Sequence, residues 1–173
     1  FAANLALGLT QLKPNARLNT GEVIVGFPVM LVLSFGEELM WRGYLYTQLR
    51  RRLGFNLTAL IIGVVWALWH YPVIIHTRFL YADLAPAHAL SALTIMTCTS
   101  SFVACWLRER SDSVWPPIVW HAALNYASFT FVIPEADVDE PSRYFRLDTG
   151  VLFLALYALS ALVIASRTRW RRG

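Results

Sequence analysis

The stretch LGFNLTALIIGVVWALWHYPVIIHT, Leu53 to Thr77, runs for twenty-five residues without an Asp, Glu, Lys or Arg. A helix rises about 1.5 Å per residue, so this run exceeds the roughly 20 apolar residues needed to cross a hydrocarbon core. Arg50, Arg51 and Arg52 stand immediately before it. Three further uncharged runs follow, Leu84 to Leu107, Ser113 to Pro134 and Thr149 to Ser166, of which only the last is marginal in length. Charged residues make up 15% of the chain, against roughly a quarter in a soluble domain. Hydrophobic residues make up 57% and the mean hydropathy is +0.48. A soluble protein with four wholly buried helices would lack the polar surface to cover them. The expectation is an all-α, polytopic transmembrane helix bundle forming one membrane-embedded domain over residues 1–173.

The arginine islands orient this bundle. Arg50 to Arg52, Arg108 and Arg110, and Arg167 to Arg172 fall on alternate connections. The segment Arg78 to Asp83 is nearly neutral, and Glu135 to Asp148 holds five acids against two arginines. The positive-inside rule therefore makes the Arg-rich loops cytoplasmic. It sends a helix of about Val23 to Leu49 inward, and the four runs alternately outward and inward after it. Tyr81, Trp106, Trp115 and Trp170 lie near run ends, as interfacial anchors do. Pro14, Asn15 and Asn19 predict an exposed linker. Phe1 to Leu12 is uncharged but too short to span and has no initiator Met, so a longer first helix, with sequence preceding Phe1, is expected. Cys98 and Cys105 lie seven residues apart on one expected helix. That places their α-carbons roughly 10 Å apart, too far for a disulfide, and both read as packing residues.

Three charges interrupt the first helix in Gly36-Glu37-Glu38-Leu39-Met40-Trp41-Arg42-Gly43-Tyr44. An ionised residue at membrane depth costs at least about 2.5–3.5 kcal/mol, so such residues have partners and a task. Glu38 and Arg42 are four apart in the favourable acid-before-base order and are expected to pair. Glu37, about 100° around the helix, is left over. His70 lies deep in the first run, in Trp66-Ala67-Leu68-Trp69-His70, and His121 lies early in the third, with Asn125 one turn later on the same face. Counting from the arginine islands puts Glu37 about 20 Å, His70 about 25 Å and His121 about 15 Å into the membrane. The three can meet at one depth. Bland readings exist for each part: an interfacial salt-bridge network for the charges, a hydrogen-bonded core residue for either histidine. An unpaired glutamate with two histidines on three separate helices is harder to explain in that way.

These motifs resemble the CAAX protease and bacteriocin-processing (CPBP, or Abi) intramembrane proteases, which include the Ras-converting prenyl endopeptidases. The first family motif, two glutamates, three residues and an arginine, matches Glu37, Glu38 and Arg42, with Gly43 following. The second, an aromatic, three residues and a histidine, matches Trp66 and His70, although the family usually has Phe at the first position. The third, a histidine, three residues and Asn or Asp, matches His121 and Asn125. Order and spacing agree from Gly36 to Asn125. The resemblance implies an intramembrane endopeptidase with a catalytic cavity between helices, acting near the C-terminus of prenylated proteins or in peptide or bacteriocin processing. Glu37 is then the general base on a water that His70 helps to hold. His121 and Asn125 donate to the oxyanion, Arg42 holds Glu38, and Trp66 supplies an aromatic wall. The implied partners are a peptide or lipidated protein and membrane lipid, with no nucleic acid.

The preferred mechanism needs no cofactor. A zinc version stays open, with Glu37, His70 and His121 as ligands and Glu38 as base, although the helical His-Glu-x-x-His signature is absent. Ser34, Ser91, Ser100 and Ser101 lack a Gly-x-Ser-x-Gly setting, and no Asp lies within an uncharged run, so serine and aspartyl chemistries fit poorly. A transporter or non-catalytic scaffold would use Glu37, His70 and His121 as a proton relay, staggered through the membrane rather than gathered at one depth.

Overall fold

A computed structural model describes residues 20–77, 84–128 and 150–169, and every described element is helical. The first rod comprises α1 (Thr20–Glu38), a π-helical segment (Leu39–Leu45) and α2 (Tyr46–Arg50). It is followed by α3 (Phe55–Thr77), α4 (Pro86–Ser111), α5 (Trp115–Ala127) and α6 (Val151–Arg169). Three helices are long and apolar enough to cross a membrane: Ile24–Arg50, Phe55–Thr77 and Pro86–Ser111. Phe153–Thr168 is a shorter apolar helix. Of the expected run from Ser113 to Pro134, residues 129–134 lie outside the described part. So do the linker around Pro14, the segment Phe1 to Leu12, and the loops Arg78 to Asp83 and Glu135 to Thr149.

The distribution of polarity is the reverse of a soluble fold. Val32 is 71% exposed and Leu162 68%, whereas Ser34, Glu38, Arg42, Thr58, Thr97 and Ser101 are all at 0%. A protein in water would bear a large cost for this arrangement, because its apolar side chains would face solvent. In a bilayer the outer side chains meet lipid tails, and helix association rests on close packing and interior hydrogen bonds.

Close packing is clearest between α3 and α4. Ala59, Gly63 and Ala67 of α3 and Thr97, Ser101, Ala104 and Cys105 of α4 are all buried and mostly small. A β-carbon placed on Gly63 would lie 2.5 Å from Cys98 Cα and 3.0 Å from the Thr97 carbonyl oxygen. Both are backbone atoms and cannot swing aside. Threonine hydroxyls in this helix bond back to their own preceding turn, Thr94 to Leu90 O at 2.6 Å and Thr97 to Leu93 O at 3.0 Å, while the buried Ser100 hydroxyl has no partner among the described residues. Tyr71 and Thr94 join the two helices by a hydroxyl pair at 2.7 Å.

Helix α4 is the centre of the bundle, touching α3, α5, α6 and the π segment. It extends one turn beyond the expected end at Leu107, through Arg108, Glu109 and Arg110. Glu109 and Arg108 have partners that stabilise the extra turn. Arg50 Nε and Nη2 donate to Glu109 Oε2 and Oε1 at 2.9 and 2.7 Å, and the Tyr46 hydroxyl bonds the same carboxylate. Arg108 pairs with Asp112 at 2.8 Å. Asp112 ends the helix at φ 50°, a left-handed conformation that Asp adopts more readily than most residues. The chain thereby turns within three residues into α5, whose first turn carries Pro116 and Pro117, where no intrahelical N–H bond is lost. At the same end of the fold, Asn56 donates to Ala165 O at 3.2 Å and accepts from Thr168 at 3.0 Å, fastening α6 to α3.

Gly63→Ala is expected to push α3 from α4 and lower the unfolding free energy by about 1–3 kcal/mol, the usual range for overpacking. Gly36→Ala is its control, since a β-carbon there meets nothing within 4 Å. SDS-driven equilibrium unfolding in mixed micelles measures both, and equal stability of the two variants would contradict the tight seam.

Candidate active site

Ser34, Glu38 and Arg42 succeed one another at four-residue intervals along the inner face of the first rod, and all three are fully buried. The π segment begins at Leu39, directly after Glu38, and contains Arg42. Its widened hydrogen bonding is visible at its end, where the Tyr46 N–H reaches Trp41 O, five residues back. Such segments are rare in helices and concentrate where a side chain must be aimed. This one interrupts the regular helix expected from Val23 to Leu49, a feature that hydropathy carries no sign of.

The expected pair forms, with Arg42 Nη1 donating to Glu38 Oε1 at 2.7 Å. His121 Nδ1 lies 2.9 Å from the same oxygen. A carboxylate oxygen only accepts, so Nδ1 carries the proton and His121 presents Nε2 as its other face. Two helices distant in sequence, the first rod and α5, are thus joined at one atom.

Glu37 has a different environment. It is half-buried, and the indole N–H of Trp66 donates to its Oε2 at 3.0 Å. Its second oxygen has no partner among the described residues. Glu37 is therefore not left over, as the helical wheel alone suggests, and Trp66 is more than a wall. The Trp66 ring also carries the Arg42 guanidinium over its face at 4.8 Å. It meets the His121 ring edge-on, with centroids 5.1 Å apart at 72°. One turn further along α3, His70 directs Nδ1 to the Trp66 carbonyl at 3.0 Å. A carbonyl also only accepts, so His70 keeps Nε2 for another group. Trp69 braces the His70 ring at 4.8 Å, and Trp41 in turn packs on Trp69 at 6.2 Å.

Glu37, Glu38, Arg42, Trp66, His70 and His121 thus form one connected group. Asn125 lies one turn beyond His121 on α5, half-buried, and makes no side-chain hydrogen bond to a described residue. Among the described residues no three His, Cys, Asp or Glu side chains gather closely enough to hold a metal ion, so the proposed ligand set of Glu37, His70 and His121 is not assembled as such. Sequence reasoning missed Ser34, Trp41 and Trp69. The i, i+4 spacing of Ser34 before Glu38 was a usable signal, whereas the bracing by Trp69 depends on ring orientation.

The two glutamates should differ sharply in their effect on stability. Glu38→Ala leaves the Arg42 cation buried without its carboxylate, and a loss of about 3–5 kcal/mol is expected in SDS-driven unfolding. Glu38→Leu combined with Arg42→Met should recover most of that loss. Glu37→Ala should cost no more than about 1 kcal/mol, since only one indole N–H loses its acceptor. Equal losses for the two alanine variants would mean that Glu38 is not the buried partner.

Residues 19–127 match the family model described as "Type II CAAX prenyl endopeptidase Rce1-like". Among curated proteins, "CAAX prenyl protease 2" of Methanococcus maripaludis is similar, 25% identical over 144 residues, which is 82% of this chain and 50% of that protein. The chain thus spans about half the length of the curated relative it matches. No solved structure matches it. The family match covers well over half of the chain and contains all three motifs, and the chain belongs to the Rce1-like family of type II CAAX prenyl endopeptidases.

Proposed function

We propose that this chain is an intramembrane endopeptidase that hydrolyses a peptide bond near the C-terminus of a lipidated protein, using a water activated by Glu37. The observation that carries this reading is the unequal treatment of two adjacent carboxylates. Glu38 is sealed from solvent, with Arg42 and His121 both on one oxygen. Glu37 is half-exposed, held by a single N–H on one oxygen, with the other open. The first is built to organise and the second to react.

In the proposed reaction Glu37 Oε1 takes a proton from water while His70 Nε2 accepts the water's second hydrogen. The resulting hydroxide attacks the scissile carbonyl carbon, and the oxyanion accepts from His121 Nε2–H and from the Asn125 amide. In the doubly protonated His121 ring, Nδ1 donates to Glu38 and Nε2 to the oxyanion, so the ring sets a positive charge against the negative one that develops. Each oxyanion donor is worth on the order of 3 kcal/mol. Collapse of the intermediate breaks the C–N bond, and the proton held by Glu37 passes to the leaving amine. The gathering of Glu37, His70 and His121 around one indole ring supports a peptidase over a relay, which needs its groups staggered across the membrane. With the arginine clusters on the cytoplasmic side, the substrate's C-terminal segment enters from that side and its lipid lies among the helices.

The test is cleavage of prenylated and unprenylated C-terminal peptides by the purified protein. Glu37→Gln should lower kcat by at least about a hundredfold, the scale of general-base catalysis, with cleavage of the prenylated peptide unaffected by a chelator. Full activity in Glu37→Gln removes Glu37 as base. Chelator-sensitive cleavage restored by zinc would favour the metal mechanism.

A further inference from the structure

The connections around Trp66 go beyond the roles the family motifs assign. We propose that Trp66 is a positioning residue for the general base: its indole N–H holds Glu37 Oε2 and so turns Oε1 toward the water, an inference that rests on the reading of Glu37 as base. Four contacts support it. Indole has one donor and no acceptor, and here that donor goes to Glu37 at 3.0 Å. The ring is 3% exposed. Its face is occupied by the Arg42 guanidinium at 4.8 Å and its edge contacts His121 at 5.1 Å. The Trp66 backbone carbonyl accepts from His70 Nδ1, in the next turn of the same helix.

The ring is therefore fixed from several sides, and the donor it carries is correspondingly rigid. Glu37 has three rotatable side-chain bonds and stands half-exposed at the end of α1. Without a partner its carboxylate would sample several rotamers, and only some would direct an oxygen toward a substrate carbonyl. One hydrogen bond across 29 residues of sequence reduces that set and links the base on the first rod to the water-binding His70 on α3. The remaining contacts of Trp66 touch Arg42 and His121, so the same ring sets the distance between base and oxyanion donor. Phenylalanine at this position would fill the same wall and contact the same rings, but it has no N–H.

Trp66→Phe in the intact, detergent-solubilised protein separates the two roles. The expected result is a fall in kcat of about ten- to a hundredfold, the scale of lost orientation, with KM changed by less than about threefold. Unaltered kcat with only a lowered melting midpoint would overturn the proposal and leave Trp66 as packing. A spectroscopic measurement covers the case in which the variant folds poorly. In protein labelled with 15N-tryptophan, the Trp66 N–H is identified by elimination, as the indole resonance that persists when each of the other tryptophans is replaced in turn by Phe. That resonance should move upfield in Glu37→Leu, which removes the acceptor but keeps the bulk; an unmoved resonance would show that the bond does not exist and overturn the proposal. Full activity in Glu37→Gln would instead overturn the base assignment on which the inference rests, whereas an inactive Glu37→Gln beside a fully active Trp66→Phe would sink the positioning role alone.

Discussion

One oxygen of Glu38 accepts from both Arg42 and His121, in an interior closed to solvent. Moving a carboxylate-sized ion from water to a medium of low dielectric costs of order 20 kcal/mol in the idealised limit, and several kcal/mol after relaxation. The sequence spacing lowers that cost early. Glu38 and Arg42 are four residues apart, so they meet as soon as their own helix forms and can enter the bilayer as a pair rather than as two bare charges. His121 arrives from a later helix and completes the arrangement. Ordering of α5 against α1 and availability of a directed imidazole are therefore consequences of one buried carboxylate.

The bundle around this group has its polarity turned outward in. Valines and leucines lie on the outside, while buried serines and threonines lie at helix contacts, some bonded to their own backbone, as Thr97 is, and others, such as Thr58 and Ser100, without a partner among the described residues. Such contacts need little hydrophobic drive between helices, which lipid would not supply, and rely on surfaces that approach closely. Gly63 against Cys98 is the closest example, and the run of small residues on both sides lets the backbones of α3 and α4 approach closely.

Much of this was legible beforehand. Four uncharged runs separated by short charged islands already implied a helical membrane bundle, and the i, i+4 rule paired Glu38 with Arg42. Spacing placed His121 and Asn125 on one face. The rest depended on relations that periodicity does not encode. The helical wheel left Glu37 unpartnered because its partner, Trp66, is on another helix, and only the mutual rotation of the two helices brings the indole N–H to it. The π segment was invisible because hydropathy is blind to hydrogen-bond register. The extension of α4 past Leu107 ran against the charge pattern, and it exists because Arg50 and Tyr46 reach across to Glu109.

The helix pairing has a mechanical consequence. α1 packs chiefly on α5, and α3 on α4. Glu37, Glu38, Arg42, His121 and Asn125 therefore belong to one pair together with its π segment, while Trp66 and His70 belong to the other. The groups proposed to react therefore come from both pairs, which are linked where α4 touches α5 and the π segment. The register between Glu37 and His70 is accordingly carried by contacts between the pairs, the hydrogen bond from Trp66 to Glu37 among them, and not by the packing inside either pair.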